Sequence, residues 1–471
     1  MQKSVLIEIV QSLNKKEIRE LNKWLHSPAH NQREDTIRLF DFLVKYLSKN
    51  EGIPEKEAAW KVVFPGKPYD DAYMRQVMFF LLKAIEEYLV FAEQRADEVR
   101  FQVSLARIYR GRKLEKAYRQ AQRIGREQLE RQPLRNTYYL QHKFLFEQEE
   151  CSWQTSISQD ISVYLQAMSN ALDHWFAAEK LQVGNAMLIL HKVYQKASYN
   201  LGLLEYILNY SNEEKLIKEP AIAMYYYACM IVKNPNELEY FDHFEELLHE
   251  KGEHLFGASE LFDLYRTALN YCTAKVNQGL TDFAKRALRL YRKGLQRGIL
   301  LDNNIVPKHV FGNAVGFAIK LHEYEWAEKF IQEYKDRLDE KERNSIVNFN
   351  LSRLFFEKGE YKTAQRLLMH FEYDDMLLNI IAKTMLLKIY YETDEFDALE
   401  SLIDSMRIYL QRKEALDPTR KAGYKNLLSL MKKMLQINIF SRAQREKFRE
   451  TVVGTNPLAE RDWMLKQLDK K

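Results

Sequence analysis

Apolar residues recur at helical spacing along almost the whole chain. Val5, Ile9 and Leu13, then Ile18, Leu21 and Leu25, predict two short amphipathic helices ending at Ser27-Pro28. Ile37, Phe40, Leu43, Val44 and Leu47 predict a third, closed by Asn50-Glu51-Gly52, and Pro54 suits the first turn of a fourth that runs through Trp60. Phe64-Pro65-Gly66-Lys67-Pro68 breaks the chain. Asp70-Asp71 can then cap a long helix carrying Tyr73, Val77, Phe80, Leu81, Ala84 and Tyr88, with Phe79-Phe80 read as core. Residues 1–97 therefore read as an N-terminal helical domain.

Farther on the pattern becomes one of hairpins. Leu351, Leu354 and Phe355 form one stripe, Lys358-Gly359 stops it, and Ala364, Leu367 and Leu368 begin a second. Two helices joined by so few residues fold back antiparallel. This stretch, LSRLFFEKGEYKTAQRLL, resembles the core of a tetratricopeptide (TPR) repeat, and HEYEWA at 322–327 and DEFDAL at 394–399 resemble the same phrase. Leu114, Trp153, Tyr199, Leu238, Leu280, Tyr324, Tyr361 and Phe396 mark successive hairpins, at intervals mostly longer than the roughly 34 residues of a standard TPR. The resemblance implies a TPR-like array over 98–410 with capping helices over 411–471. Such hairpins stack into a superhelix, an α-solenoid with a concave inner wall.

Past the last hairpin, Ala415-Leu416-Asp417-Pro418 interrupts the pattern, and Asp417 or Thr419 can cap the next helix. The end reads as a capping helix anchored by Trp463, with a frayed Lys470-Lys471 tail. Composition sharpens the fold class to all-α: only 16 Gly and 10 Pro in 471 residues argue against a turn-rich β fold. Cys151, Cys229 and Cys272 lie far apart without a C-x-x-C, which suggests reduced, buried thiols. The longest apolar run, Ile222 to Val232, is about half the roughly 20 residues of a spanning helix. Together with a start that lacks signal-peptide features, this leads to the expectation of a cytoplasmic protein without a membrane span.

Charge adds a second layer. The net charge is only +5, yet residues 100–135 carry eleven Lys/Arg against three acids, residues 236–263 nine acids against one Lys, and residues 407–449 twelve bases against three acids. Arg112, Lys116, Arg119, Arg123 and Arg126 repeat at spacings of three and four, which stacks them on one helix face. Like charges so placed repel at a few tenths of a kcal/mol per pair. Three readings stay open: a solvated face balanced by acids of the next hairpin, a site for an acidic protein partner, and a site for a polyanion such as nucleic acid. Residues 54–92 distantly resemble the helix-turn-helix of some bacterial transcription regulators, although no flanking strands are visible; a helical cap is the alternative.

The TPR resemblance also implies a groove. Its lining positions in the three well-matching hairpins are held by His309, Asn313, Asn350, Arg353 and Lys388, with Phe349, Ile381 and Thr384 nearby. Asn amides can grip a peptide backbone, and Arg or Lys its carboxylate. Catalytic patterns are thin. His249 and His254 miss the H-E-x-x-H spacing by one residue, which sets them about 140° apart on a helix that Gly252 is expected to break. Glu246-x-x-His249 needs companion carboxylates, with Asp173-His174 the faint candidate. There is no phosphate-cradling glycine loop. The expectation is a non-enzymatic scaffold with no cofactor, no metal and no small-molecule substrate, binding a protein or peptide segment in the groove. The alternative is a nucleic-acid-associated regulator using residues 112–126 and 54–92.

Overall fold

The computed structural model describes residues 1, 4–49, 52–193, 199–213, 216–369, 376–412, 417–438 and 441–469. Asn50 and Glu51, Ala415 and Leu416, and the Lys470-Lys471 tail therefore lie outside the described residues. Among the described residues there are 24 α-helices and no strand beyond an isolated bridge between Asp302 and Ile305. The all-α class holds. No helix of the described residues is long and apolar enough to cross a membrane.

The chain divides into two compact units, Met1–Cys229 with His254–Phe256, and Met230–Glu253 with Gly257–Lys471. The first carries α1 (Val5–Ser12), α2 (Lys15–Leu25), α3 (Glu34–Leu47), α4 (Lys56–Val63), α5 (Asp71–Ala96), α6 (Glu98–Gly111), α7 (Glu115–Arg131), α8 (Thr137–Thr155), α9 (Ser162–Val193) and α10 (Leu204–Glu213). The expected N-terminal helices are α1–α5, and they enclose one core built on Leu21, Leu39, Phe40, Val77, Leu81 and Ile85. Asp70 caps α5 by accepting from the Tyr73 amide at 3.0 Å. Phe79, expected in the core, is 52% exposed, and Phe80 is half-buried under the Arg33 guanidinium at 4.2 Å. The expected boundary at 97 falls within this unit, where Asp97 ends α5 and caps α6 through the Arg100 amide.

α11 (Pro220–Lys233) spans the point where the partition changes. The second unit then continues with α12 (Leu238–Leu247), the short α13 (Glu253–Leu255), whose last two residues fall to the first unit, α14 (Ala258–Asn277), α15 (Asp282–Gln296), α16 (Lys308–Lys320) and α17 (Tyr324–Tyr334). It ends with α18 (Arg343–Glu357), α19 (Tyr361–Met369), α20 (Met376–Glu392), α21 (Phe396–Arg412), α22 (Pro418–Met434), α23 (Arg442–Gly454) and α24 (Arg461–Asp469). Asp417 caps α22 with Pro418 in its first turn, and Trp463 is buried against Glu392, to which its indole donates at 3.2 Å.

One turn recurs through both units. The amides of Leu114, Leu280, Glu323, Glu360 and Glu395 each donate to the carbonyl five residues back, on Tyr109, Lys275, Ala318, Phe355 and Tyr390. The residue before each of those amides is left-handed: Lys113, Gly279, His322, Gly359 and Asp394, with φ from 56° to 92°. This is a Schellman closure, which satisfies late carbonyls of one helix while turning the chain back into the next. Tyr324, Tyr361 and Phe396 are the first residues of α17, α19 and α21, as the hairpin markers predicted. Trp153 departs from that role: it lies inside α8, buried and stacked on Tyr118 with ring centroids 4.4 Å apart. Within the second unit, each helix from α14 to α21 packs against the next along the chain.

Candidate functional site: the groove positions, the basic helix and two buried carboxylates

The groove positions sit on α16, α18 and α20, and most of their polar groups are engaged inside the chain. Asn350 is buried, and its amide donates to the Ile346 carbonyl at 2.8 Å. Arg353 donates to the Gly312 carbonyl at 3.1 Å and to Asn350 Oδ1 at 3.3 Å, so it ties α18 to α16. A Cβ at position 316 would lie 2.7 Å from the Arg353 guanidinium, so Gly316 makes the room that this contact needs. Burial lowers the Arg353 pKa, with the Glu357 charge acting against it. Lys388 pairs with Glu460 at 2.9 Å and lies 4.8 Å from the centre of the Phe356 ring. Thr384 and Phe349 are buried, and Ile381 is half-buried.

His309 and Asn313 face solvent on α16. Desolvation, helped by the Arg266 charge, keeps the His309 pKa below its ordinary value. Asn313 meets the hydroxyl of the buried Tyr291, whose pKa burial pushes up to about 12 while this hydrogen bond acts the other way. The structure therefore brings Asn350 and Arg353 together as a joint between helices. It leaves His309 and Asn313 as an outward-facing pair.

The basic face is also partly engaged. Arg112 lies on the turn that closes α6 and not on α7, which leaves Lys116, Arg119, Arg123 and Arg126 on the helix. Arg119 pairs with Glu150 at 2.8 Å, Arg123 with Glu127 at 2.9 Å, and Arg126 with Glu147 at 2.6 Å. Glu147 and Glu150 come from α8, the acidic neighbour that the balanced-face reading requires. The Glu150 carboxyl sits below its ordinary pKa even though burial alone would raise it; Gln154, Arg119 and Tyr118 hydrogen-bond to it. Arg112 and Lys116 are exposed and have no ion pair among the described residues.

Two sites went unread in the sequence. In the first unit Glu149 of α8, its side chain 3% exposed, accepts from Arg107 and Arg110 of α6, each at 2.9 Å. In the second unit Glu245 of α12, 6% exposed, accepts from Arg286 at 2.7 Å and Arg289 at 2.8 Å, both on α15. Each pair of arginines is three residues apart on one helix, so both guanidiniums reach one carboxylate. Arg286 also bonds Asp242 at 2.7 Å and lies over the Phe241 ring at 4.4 Å. Burial would raise the Glu245 pKa, but His249, Arg289 and Arg286 more than offset it and hold it at about 2. The available signal was a glutamate at a core position: Phe146, Glu149 and Trp153 share one face of α8, as Phe241, Glu245 and Leu248 do around α12.

His249 joins this second cluster through a backbone irregularity. Gly252 does not end the helix as expected; Leu248–Gly252 forms a π-helical turn leading into α13. His249 Nε2 stands 3.5 Å from Glu245, whereas Glu246 lies near His243. Lys293 donates to the His249 carbonyl at 3.0 Å and pairs with Glu253 at 3.1 Å. An open cleft of about 410 Å³ lies among these groups. Asp173 and His174 are on α9, in the other unit, where Asp173 accepts from Tyr210 at 3.4 Å and His174 meets the Asn170 carbonyl at 2.6 Å. Among the described residues no group of three or more His, Cys, Asp or Glu is placed to hold a metal ion. The three cysteines are free and buried, and burial pushes the Cys272 thiol up to about 12.

Comparison with family models, with curated proteins and with solved structures finds no match to this chain.

Proposed function

We propose that the chain is a non-enzymatic protein-interaction scaffold of the TPR-like kind. In this reading the hairpins of the second unit form a superhelical array, and a partner segment lies across the first helices of its later hairpins. The observation that carries the reading is the repeated Schellman closure, with like hairpins packed on like hairpins from α14 to α21. His309 and Asn313 supply the outward contacts. Asn350, Arg353 and Lys388 set the spacing and tilt of the helices that carry them. Recognition of nucleic acid has less to draw on, because Arg119, Arg123 and Arg126 spend their charge on Glu150, Glu127 and Glu147.

The test is a photo-crosslinking residue placed at position 309 or 313 in the full chain in cells, with exposed Lys285 as the control position. The reading predicts a discrete protein adduct from 309 and 313 that is missing from 285. Equal labelling at all three positions, or adducts with nucleic acid alone, would overturn it.

A further inference from the structure

Between α15 and α17, which both pack on α16, the second unit holds a cavity of about 260 Å³. One wall is a row of three rings. Trp326, Phe330 and Tyr334 follow one another at four-residue spacing on α17, which puts them on one helix face. The Trp326 and Phe330 rings are nearly parallel, 7° apart in tilt with centroids 5.1 Å apart, and Tyr334 follows Phe330 at 4.9 Å. Phe330 is buried and packs on Phe311 of α16, which fixes the row. Trp326 and Tyr334 are half-buried and keep part of their ring surface uncovered. Arg292 and the buried Leu295 line the cavity from α15.

The polar groups narrow the choice of guest. The Arg292 guanidinium lies 4.7 Å from the centre of the Trp326 ring, and among the described residues only its Nη2 is hydrogen-bonded, to Glu323. The Trp326 indole N–H and the Tyr334 hydroxyl have no hydrogen-bond partner among the described residues. Glu333, the acid in the lining, is paired with Lys329 at 3.7 Å. Guanidinium and indole N–H groups only donate, so the guest they suit carries acceptors, and a guanidinium bonds a carboxylate best. Arg292 and Lys329 also repel a cation, which separates this row of rings from an aromatic cage for ammonium groups. The volume falls below the roughly 300–1,000 Å³ of drug-sized sites, so it suits one or two fused rings.

We propose that this cavity binds a small planar aromatic carboxylate, with the ring against Trp326 and Tyr334 and the carboxylate on Arg292. The guest is a ligand and not a substrate. The site lies on α15 and α17, whereas the groove positions lie on α16, α18 and α20, so neither reading depends on the other.

Ligand-observed NMR titration of the full chain, with indole-3-carboxylate and with neutral indole for comparison, tests the proposal. Saturable binding of indole-3-carboxylate at about millimolar affinity or tighter is expected for a guest of this size. Arg292→Gln should weaken indole-3-carboxylate at least about tenfold and indole less than about twofold, whereas a merely distorted cavity would weaken both alike. Trp326→Leu should weaken both probes at least about tenfold, and Asn313→Ala in the groove should change neither. No saturable binding of indole-3-carboxylate up to about 5 mM, indole bound as tightly as the carboxylate, or equal weakening of both probes by Arg292→Gln would each overturn the proposal.

Discussion

The same device appears in each unit, and the two copies differ instructively. In the first, Glu149 meets Arg107 and Arg110 with both carboxylate oxygens used and no histidine in reach among the described contacts. In the second, Glu245 meets Arg286 and Arg289 and also lies beside His249, while Asp242 shares Arg286. Both glutamates take core positions on their helices. A lone buried carboxylate there would cost several kcal/mol, and two guanidiniums reaching across from another helix offset that cost only if the helix pair holds its geometry. Each clasp therefore specifies register between helices more than it adds net stability. The second is wired to titratable neighbours, and the first is not.

Removing one side should show this most strongly. Glu245→Ala leaves Arg286, half-buried against Phe241 and Phe283, with the more exposed Asp242 in place of its buried partner, and is expected to destabilise the second unit by about 3 kcal/mol in denaturant unfolding. Glu149→Ala should cost less, because Arg107, 59% exposed, can turn to water. Equal losses would mean that the extra partners of Glu245 contribute nothing.

Acid tests the second clasp next. The folded Glu245 pKa, about 2, lies below its ordinary 4.5, so its contribution is complete above about pH 4.5 and is lost as pH falls toward 2. Following unfolding of wild type and Glu245→Gln over that range should show the wild type losing its advantage as it acidifies. A difference independent of pH would contradict the assignment.

Smaller effects test the hairpin turns. Gly279→Ala puts a Cβ on a residue at φ 92° and should cost about 1 kcal/mol, whereas Lys113→Gly relieves the same geometry and should stabilise by a fraction of that. Arg123→Ala, which removes a surface pair within one helix, should stay within about 0.5 kcal/mol of wild type.

The legible part of the sequence is the part set by neighbours along the chain. Apolar spacing placed α1–α5 and the later hairpins, and Lys358-Gly359 announced its turn because glycine tolerates a left-handed residue. The turns at Lys113, His322 and Asp394 have the same backbone with no such sign. The clasps were hidden for another reason: Glu149 and Arg107, like Glu245 and Arg286, meet across about forty residues, and one sequence does not reveal which arginine answers which buried acid. The groove positions show the converse. Asn350 and Arg353 have the chemistry of a peptide clamp, but Gly312 and Gly316 bring α16 close enough for them to act as a joint. On α9, Leu165, Leu172, Phe176 and Val183 have the periodicity of a core stripe yet are exposed, and only the packing of Ala177, Ala178 and Leu181 shows which face is inside.

A protein-binding scaffold of the kind proposed does not hold a phosphate backbone at physiological salt. Fluorescence anisotropy of labelled duplex DNA and single-stranded RNA, titrated with the full chain at low salt and at about 150 mM salt, tests it most directly. The expected result is at most weak binding that vanishes as salt is added. Binding that survives at the higher salt and is lost in the Arg119→Glu, Arg123→Glu variant would contradict it.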